Sequence, residues 1–388
     1  MLPQQFYDTL VSAKLQAVIS EKLRAAEITA SAPKTDKEGI LLKKKHAVTI
    51  YDIASRTGVS GATVSKVLNG KGTVAEQTRE RILNAAKGLG YSPNVAAKAL
   101  RQSRSEQILL QIPEFSNLFY FDLVSSVHRV CAQAGYSVVL SIVQDKEPKD
   151  WKTFFQSKFN LVDAVIDIAF RFSPAHMEAL EQFGKPAAIS TVSRFRFPEK
   201  IPFDFVGTDT GEGTYSAASH LISLGHRKIG YIGLSTDIPA GGERLDGYLR
   251  ALGENGIARD DGCIFTGGYT NRFGYECGMR IAAMVGSRPT AVCTANDMMA
   301  QGVYRAFSEQ KIRIPEQIAL VSMDNTDIAD LLFPTLSSVA IQQSSIGGTA
   351  AQYVIDRLNG DKAAPHVTVF RPHLEVRNSS GAPLAPGK

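Results

Sequence analysis

The stretch TIYDIASRTGVSGATVSKVLNG, residues 49 to 70, reads as two short helices joined by a tight turn and closed by a polar stop. Thr49 can cap the first helix, with Asp52 three residues on completing a capping-box-like pair, and Ile50, Ile53 and Ala54 give it one apolar face. Gly58 ends that helix, because glycine adopts the angles of a sharp turn without steric cost. Val59 can plug the space between the helices, and Ser60 can cap the second, whose Val64, Val67 and Leu68 face inward. The opposite face carries Thr63, Ser65, Lys66 and Asn69, whose hydroxyl, ammonium and amide groups suit phosphates or base edges in a DNA major groove. Two amphipathic helices about a glycine turn also occur as plain packing units in enzymes, so the pattern alone leaves both readings open.

The charge distribution favours DNA. Residues 43–105 hold 12 Lys and Arg against 3 Asp and Glu, whereas the whole 388-residue chain is only +5. Residues 1–42 balance, so residues 106–388 are mildly acidic, with 26 basic and 30 acidic groups. A small basic module on an acidic body is the footprint of phosphate neutralisation confined to a DNA-binding head.

Working outward, the 44% hydrophobic content suits a small head and two ordinary core lobes. No apolar run reaches the roughly 18 residues of a membrane helix, and no export signal opens the chain, so a cytoplasmic location without membrane attachment is expected. Cys131, Cys263, Cys277 and Cys293 show no close or CxxC spacing, which points to buried reduced thiols and to no metal site. From residue 106 onward, short apolar runs such as ILLQI, SVVLSIV and AVIDIA alternate with helical patterns, the rhythm of parallel sheets with crossover helices.

These residues resemble the lactose and galactose repressor (LacI/GalR) family of bacterial transcription regulators across roughly residues 47–380. In the head the resemblance rests on VTIYDIA, GVS, ATVSKVLNG and, after a third helix expected from about Val74 to Leu89, GYSPNVAAKAL. In the body it rests on SNLFY (116–120), HLISLGHRKIGYIG (220–233), ERLDGY (243–248), TANDMMAQG (294–302) and IALVSMDN (318–325). It implies a small all-α helix-turn-helix head (46–92), a hinge helix and linker (93–105), and an α/β body of two doubly wound parallel-sheet lobes like those of periplasmic binding proteins. The first lobe would comprise 106–205 and 341–370, the second 206–340 and 371–388, and a small effector would sit between them, at the carboxyl ends of the strands.

The resemblance places candidate effector-binding residues one by one. Arg244 matches the position whose guanidinium grips the ligand, and its planar fork suits hydroxyl pairs or a carboxylate. Asn296 matches a ligand-contacting amide, with a helix cap as the alternative role; Asp297 is the expected cap of that helix. Asp324 matches a binding position or, alternatively, serves a strand-end turn. Phe119 and Tyr120 stand where the family presents aromatic faces to a ring, or else pack in the core. Tyr269 corresponds to a stacking aromatic on the opposite wall and Gln343 to the cleft rim. Thr191 replaces the carboxylate that often ends its strand, removing an acceptor for sugar hydroxyls. Arg194 and Arg196 nearby suit a phosphorylated ligand or a solvated loop, so sugar and sugar phosphate both stay open.

On the DNA side, the family reads operators with the first two recognition-helix residues, here Gly61 and Ala62, neither of which can hydrogen-bond a base through its side chain. Ala62 can touch a thymine methyl and Lys66 can reach guanine O6 or N7, so Lys66 carries most direct readout. Thr49, Tyr51, Ser60, Thr63, Ser65 and Asn69 complete the candidate surface, with Tyr51, Thr63 and Ser65 positioning phosphates. Pro93 to Leu100 is too short for a stable isolated helix and is expected to fold on the operator. There Ala97 and Leu100 enter the minor groove, and Asn94 and Lys98 join the DNA-contacting set. A Leu100 wedge paired across two subunits requires a homodimer, or a tetramer built from it, on near-palindromic double-stranded DNA; a buried linker leucine is the alternative.

No catalytic residue or cofactor is expected: the chain has no nucleophile motif and no GxxxxGKS loop, and Gly207, Gly211 and Gly213 lack the spacing of a phosphate cradle. A transport solute-binding protein and an enzyme remain the other classes. Leu2, Phe6, Leu10, Leu15, Ile19 and Leu23 suggest a short amphipathic helix in residues 1–45, or an unfolded extension.

Overall fold

The computed structural model describes residues 48–68, 70, 72–91, 104–113, 117–143, 148, 150–158, 161–169, 172–191 and 202–381. Expectations for residues 1–45, the hinge at Asn94, Ala97, Lys98 and Leu100, Asn69, Arg194 and Arg196 lie outside the described residues. The chain divides into two compact units between Pro93 and Asn94.

The first unit has three helices, α1 (Ile50–Thr57), α2 (Gly61–Leu68) and α3 (Glu76–Leu89). The Asp52 carboxylate accepts from Thr49 N and Oγ1, both at 2.7 Å, closing the expected box. Gly58 ends α1 with φ 66° and donates its N–H to Ala54 O at 2.9 Å. Ser60 Oγ accepts from Thr63 N at 3.2 Å and so caps α2. Ile53, Val64, Val67, Ile82 and Ala86 form the core of this unit, with Val59 and Leu68 packed against it. The third helix starts two residues later than its apolar pattern suggests, since Val74 packs on the core ahead of the first turn.

The second unit contains two six-stranded sheets. In chain order its elements are β1 (Gln107–Ile112), α4 (Phe119–Gln133), β2 (Ser137–Ile142), α5 (Trp151–Gln156), β3 (Ala164–Ile168), α6 (Pro174–Phe183), β4 (Ala187–Thr191) and β5 (Asp204–Thr208). Then follow α7 (Thr210–Ser223), β6 (Ile229–Leu234), α8 (Pro239–Glu254), β7 (Ile264–Gly267), α9 (Asn271–Ala283), β8 (Ala291–Thr294) and α10 (Asp297–Glu309). The unit closes with β9 (Ala319–Asp324), α11 (Ile328–Leu331), β10 (Ser337–Ala340), α12 (Gln343–Leu358), β11 (Val367–Phe370) and β12 (His373–Glu375).

The first sheet has the order β11-β5-β4-β3-β1-β2 and is parallel throughout; the second has the order β12-β10-β9-β8-β6-β7, with only β12 antiparallel. The chain passes between sheets after β5, after β10 and between β11 and β12, giving the three crossings of two doubly wound lobes. The first crossing lies after Thr208 rather than at residue 205, because β5 runs unbroken to that point and pairs with β4 and β11 along its length. Strands such as β3, β4, β6 and β9 are buried at every position, as expected of sheets covered on both faces.

One layer departs from the apolar expectation. Asp167, in the middle of AVIDI, is fully buried, with Gln111 Nε2 donating to it at 3.0 Å and His176 Nε2 2.7 Å away. Trp151 stacks on the His176 ring with centroids 3.6 Å apart. All four cysteines are free and buried, in line with reduced thiols. Among the described residues no helix is long and apolar enough to cross a membrane, and no group of His, Cys, Asp and Glu could hold a metal ion.

Candidate functional site

The head presents α2 with its outer face free of core contacts. Ala62 and Lys66 are exposed, Gly61, Thr63 and Ser65 are half-buried, and the Tyr51 ring is 79% exposed. That ring lies along the start of α2, since a Cβ on Gly61 would sit 3.6 Å from Tyr51 Cε1. Ser60 and Thr63 share a hydrogen bond at 2.9 Å, so the Thr63 hydroxyl braces the Ser60 cap of α2. The Lys66 stem runs toward Gly72, where an added Cβ would stand 3.5 Å from its Cδ. Lys66 is thus the long cationic group on the exposed face of this helix.

In the body, the candidate effector residues stand at or just after the carboxyl ends of strands, or on helices that follow them. Thr191 ends β4, buried; Phe119 and Tyr120 begin α4 beyond β1; Tyr269 follows β7, half-buried; Asn296 follows β8; Asp324 ends β9; Gln343 follows β10. Arg244 lies on α8, which follows β6, and is only 4% exposed.

The structure brings three of these together, Arg244, Asp324 and Gln343, and pairs two others, Asn296 and Tyr269. Arg244 Nη1 donates to Ala295 O, and its Nη2 stands 3.9 Å from Asp324 Oδ1, beyond hydrogen-bond reach. Arg244 Nε is buried without a hydrogen-bond partner. Gln343 Nε2 donates to the Asp324 carbonyl. Asn296 Nδ2 donates to Tyr269 O at 2.9 Å. The site therefore holds an incompletely satisfied guanidinium opposite a carboxyl group, both desolvated. Burial pushes the Asp324 carboxyl up to about 8, with Arg244 pulling the other way and Asp297 adding to the rise.

Asp324 has φ 103° and Asn325 φ 51°, so β9 ends in two successive left-handed residues. For a non-glycine residue such backbone costs on the order of 1–3 kcal/mol and persists only where its surroundings fix it. Those surroundings include Asp297, whose Oδ2 accepts from Thr326 N at 2.7 Å and Thr326 Oγ1 at 3.0 Å.

One expectation changes, and two others gain detail. Asn296, not Asp297, caps α10: its Oδ1 accepts from Met299 N at 2.8 Å, because Asp297 is already inside the helix with its carboxylate turned to the β9 turn. Gln343 is buried, with its Nε2 donating to the Asp324 carbonyl. Phe119 and Tyr120 pack edge to face, centroids 4.9 Å apart, and are 4% and 3% exposed within the core. Sequence reading missed the Ala295 carbonyl and Ser338, whose Oγ donates to Asp297 Oδ1 at 2.6 Å and accepts from Asn325 N at 3.0 Å. Only the proximity of Asp297 to Asn296 hinted at this brace.

Comparison with known proteins agrees with both units. The model for bacterial regulatory proteins of the lacI family matches residues 49–94, and that for a periplasmic binding protein-like domain matches residues 218–380. The chain is 31% identical to the HTH-type transcriptional regulator DegA of Bacillus subtilis (strain 168), covering 86% of this chain and 98% of that protein. The solved lac repressor dimer, bound to operator and the anti-inducer ONPF, matches with a TM-score of 0.75 at 26% identity, over 87% of this chain and 99% of that one. A complex of the transcriptional regulator CelR with cellobiose matches with a TM-score of 0.63 at 28% identity, over 86% and 99%. With a helix-turn-helix head, two doubly wound lobes and a relative of this identity matched nearly end to end, the chain belongs to the lacI family of bacterial regulatory proteins.

Proposed function

We propose that this chain is a transcriptional repressor that binds a near-palindromic operator as a homodimer and whose operator affinity is set by a polyhydroxylated ligand, a sugar or sugar phosphate, held at Arg244 and Asp324. The observation that carries the ligand reading is the buried Arg244 fork with its partnerless Nε, facing an Asp324 carboxyl too distant to satisfy it. A ligand bearing adjacent hydroxyls can accept from the guanidinium and donate to the carboxyl, supplying what each lacks. The disaccharide held by one similar regulator agrees with that chemistry. Dimerisation is supported by apolar surface on the body: edge strand β2 leaves Val139, Leu140 and Ile142 partly exposed, and Leu331 and Phe333 are 81% and 93% exposed.

The test is a thermal-shift screen of sugars and sugar phosphates followed by DNA binding to the chain's own upstream region, with and without each hit. A ligand that stabilises the protein and changes operator affinity supports the reading. Equal affinity for that region and for scrambled DNA under all conditions overturns it.

For the head, Lys66 carries direct base readout. Lys66→Ala is expected to weaken operator binding by about 1–3 kcal/mol and to relax preference at one base pair, as loss of a guanine contact does. Competitive binding on operators varied one pair at a time measures this. A uniform loss on specific and random DNA would make Lys66 a phosphate contact instead.

A further inference from the structure

We infer that Asp297 is a positioning residue for the ligand site: from outside the ligand's reach, it locks the left-handed turn that aims the Asp324 carboxyl at Arg244. The inference rests on the ligand reading above and adds a residue to it.

Asp324 and Asn325 leave β9 with φ 103° and 51°. Each of the next backbone N–H groups is taken by a buried side chain brought from elsewhere. Ser338 Oγ, on β10, receives Asn325 N at 3.0 Å, and Asp297, on the first turn of α10, receives Thr326 N at 2.7 Å. The two clamps are one unit, since Ser338 Oγ donates to Asp297 Oδ1 at 2.6 Å. Thr326 Oγ1 adds a second donor to Asp297 at 3.0 Å. The turn is held from its far side as well, where Arg377 Nη1 donates to Asn325 Oδ1 at 2.8 Å.

Asp297, Ser338 and Thr326 are all under a tenth exposed. A buried carboxylate that accepts from three separate donors, across chain separations of 29 and 41 residues, is a fixed anchor rather than a helix cap. The cap of α10 is supplied separately by Asn296, which leaves Asp297 no role in ending its own helix. Remove the anchor and the Thr326 N–H loses its acceptor, so the turn gains most by rotating out of the left-handed region and carrying Asp324 away from Arg244.

The experiment compares hydrogen exchange of peptides covering residues 318–330 in the ligand-free full chain with calorimetric binding of whichever sugar from the screen stabilises the wild type, cellobiose being the first probe. Asp297→Ala is expected to speed exchange across this turn at least tenfold and to weaken the sugar at least tenfold. Asp297→Asn, which keeps an oxygen to accept from Thr326 N, is expected to retain most of both, and Asp297→Leu, of similar volume but without an acceptor, to behave like Asp297→Ala; a loss of packing alone would instead make Asp297→Leu behave like Asp297→Asn. If Asp297→Ala does not fold, Ser338→Ala, which removes only the bridging hydroxyl, decides with the same two readouts. Wild-type exchange in Asp297→Ala, unchanged sugar affinity despite faster exchange, or equal effects of Asp297→Asn and Asp297→Leu each overturns the inference. If no sugar binds the wild type, the ligand reading falls on its own, and the exchange rates of Asp297→Ala, Asp297→Asn and Asp297→Leu still decide whether Asp297 locks the turn.

Discussion

Gly302→Ala is expected to destabilise the body by roughly 3 kcal/mol, at the upper end of ordinary overpacking costs. The reason is the approach of α9 and α10. A Cβ on Gly302 would stand 1.9 Å from Asn271 O and 2.5 Å from Tyr275 N, and one on Gly274 would stand 2.1 Å from Met299 O. Both obstacles are backbone, so no rotamer change relieves them and the helices must separate. α10 also carries Asn296 and Asp297 at its start, so its displacement would disturb the ligand site. Thermal unfolding measures the loss as a fall of roughly 6–12 °C for a body of this size. Gly253→Ala is the matched control: it lies in helix α8 with nothing within 4 Å of its added Cβ, and helix propensity makes it neutral or slightly stabilising. Equal melting temperatures for the two variants would show that α9 and α10 do not pack as closely as described.

Such backbone contacts are invisible in a sequence, whereas the head is almost wholly legible there. Its decisive features are local: Asp52 answers Thr49 three residues back, Gly58 turns left-handed where a turn is demanded, and Ser60 meets Thr63 within one helical turn. The alternation of strands and helices in the body is similarly readable, because buried parallel strands are short continuous apolar runs. The site is only partly so. Resemblance places Arg244, Asn296 and Asp324, and nothing in their spacing shows that Arg244 meets the Ala295 carbonyl 51 residues on. Asn296 and Asp297 are adjacent acceptors at a helix start, and either can cap; only the β9 turn, which needs a buried acceptor, assigns the cap to Asn296. Asp167, inside an apolar strand, is satisfied by Gln111 56 residues earlier in the chain, a pairing that strand order alone brings about.

The Asp324 carboxyl makes ligand affinity depend on pH in a direction that can be worked out. Burial raises it to about 8, so at pH 7 in the ligand-free protein it mostly holds its proton, despite Arg244 3.9 Å away. A ligand hydroxyl donating to this group, with others accepting from Arg244, favours the ionised form, and binding then expels the proton. Affinity should rise as pH increases from 6 to 8, by up to about tenfold per unit, and level off above that. Calorimetry at pH 7 in buffers of different ionisation enthalpy should report release of nearly one proton. Asp324→Asn should abolish both signatures. Arg244→Ala should act more strongly, since it removes the cation that opposes the burial effect as well as the charge-assisted hydrogen bonds to the ligand, about 1.5–3 kcal/mol or roughly 10- to 150-fold in affinity. The same shift has a stability consequence of opposite sign. A carboxyl whose folded value lies above its unfolded one binds more protons when folded, so its contribution is complete below about pH 4 and is lost as pH climbs toward 8. Ligand-free protein should therefore lose melting temperature between pH 5 and 8 in a way that Asp324→Asn removes, while the liganded protein gains affinity over the same window. Affinity that falls with rising pH, or proton uptake on binding, would mean that the ligand accepts from a protonated Asp324 and that the carboxyl, not the ligand, is the donor in the complex.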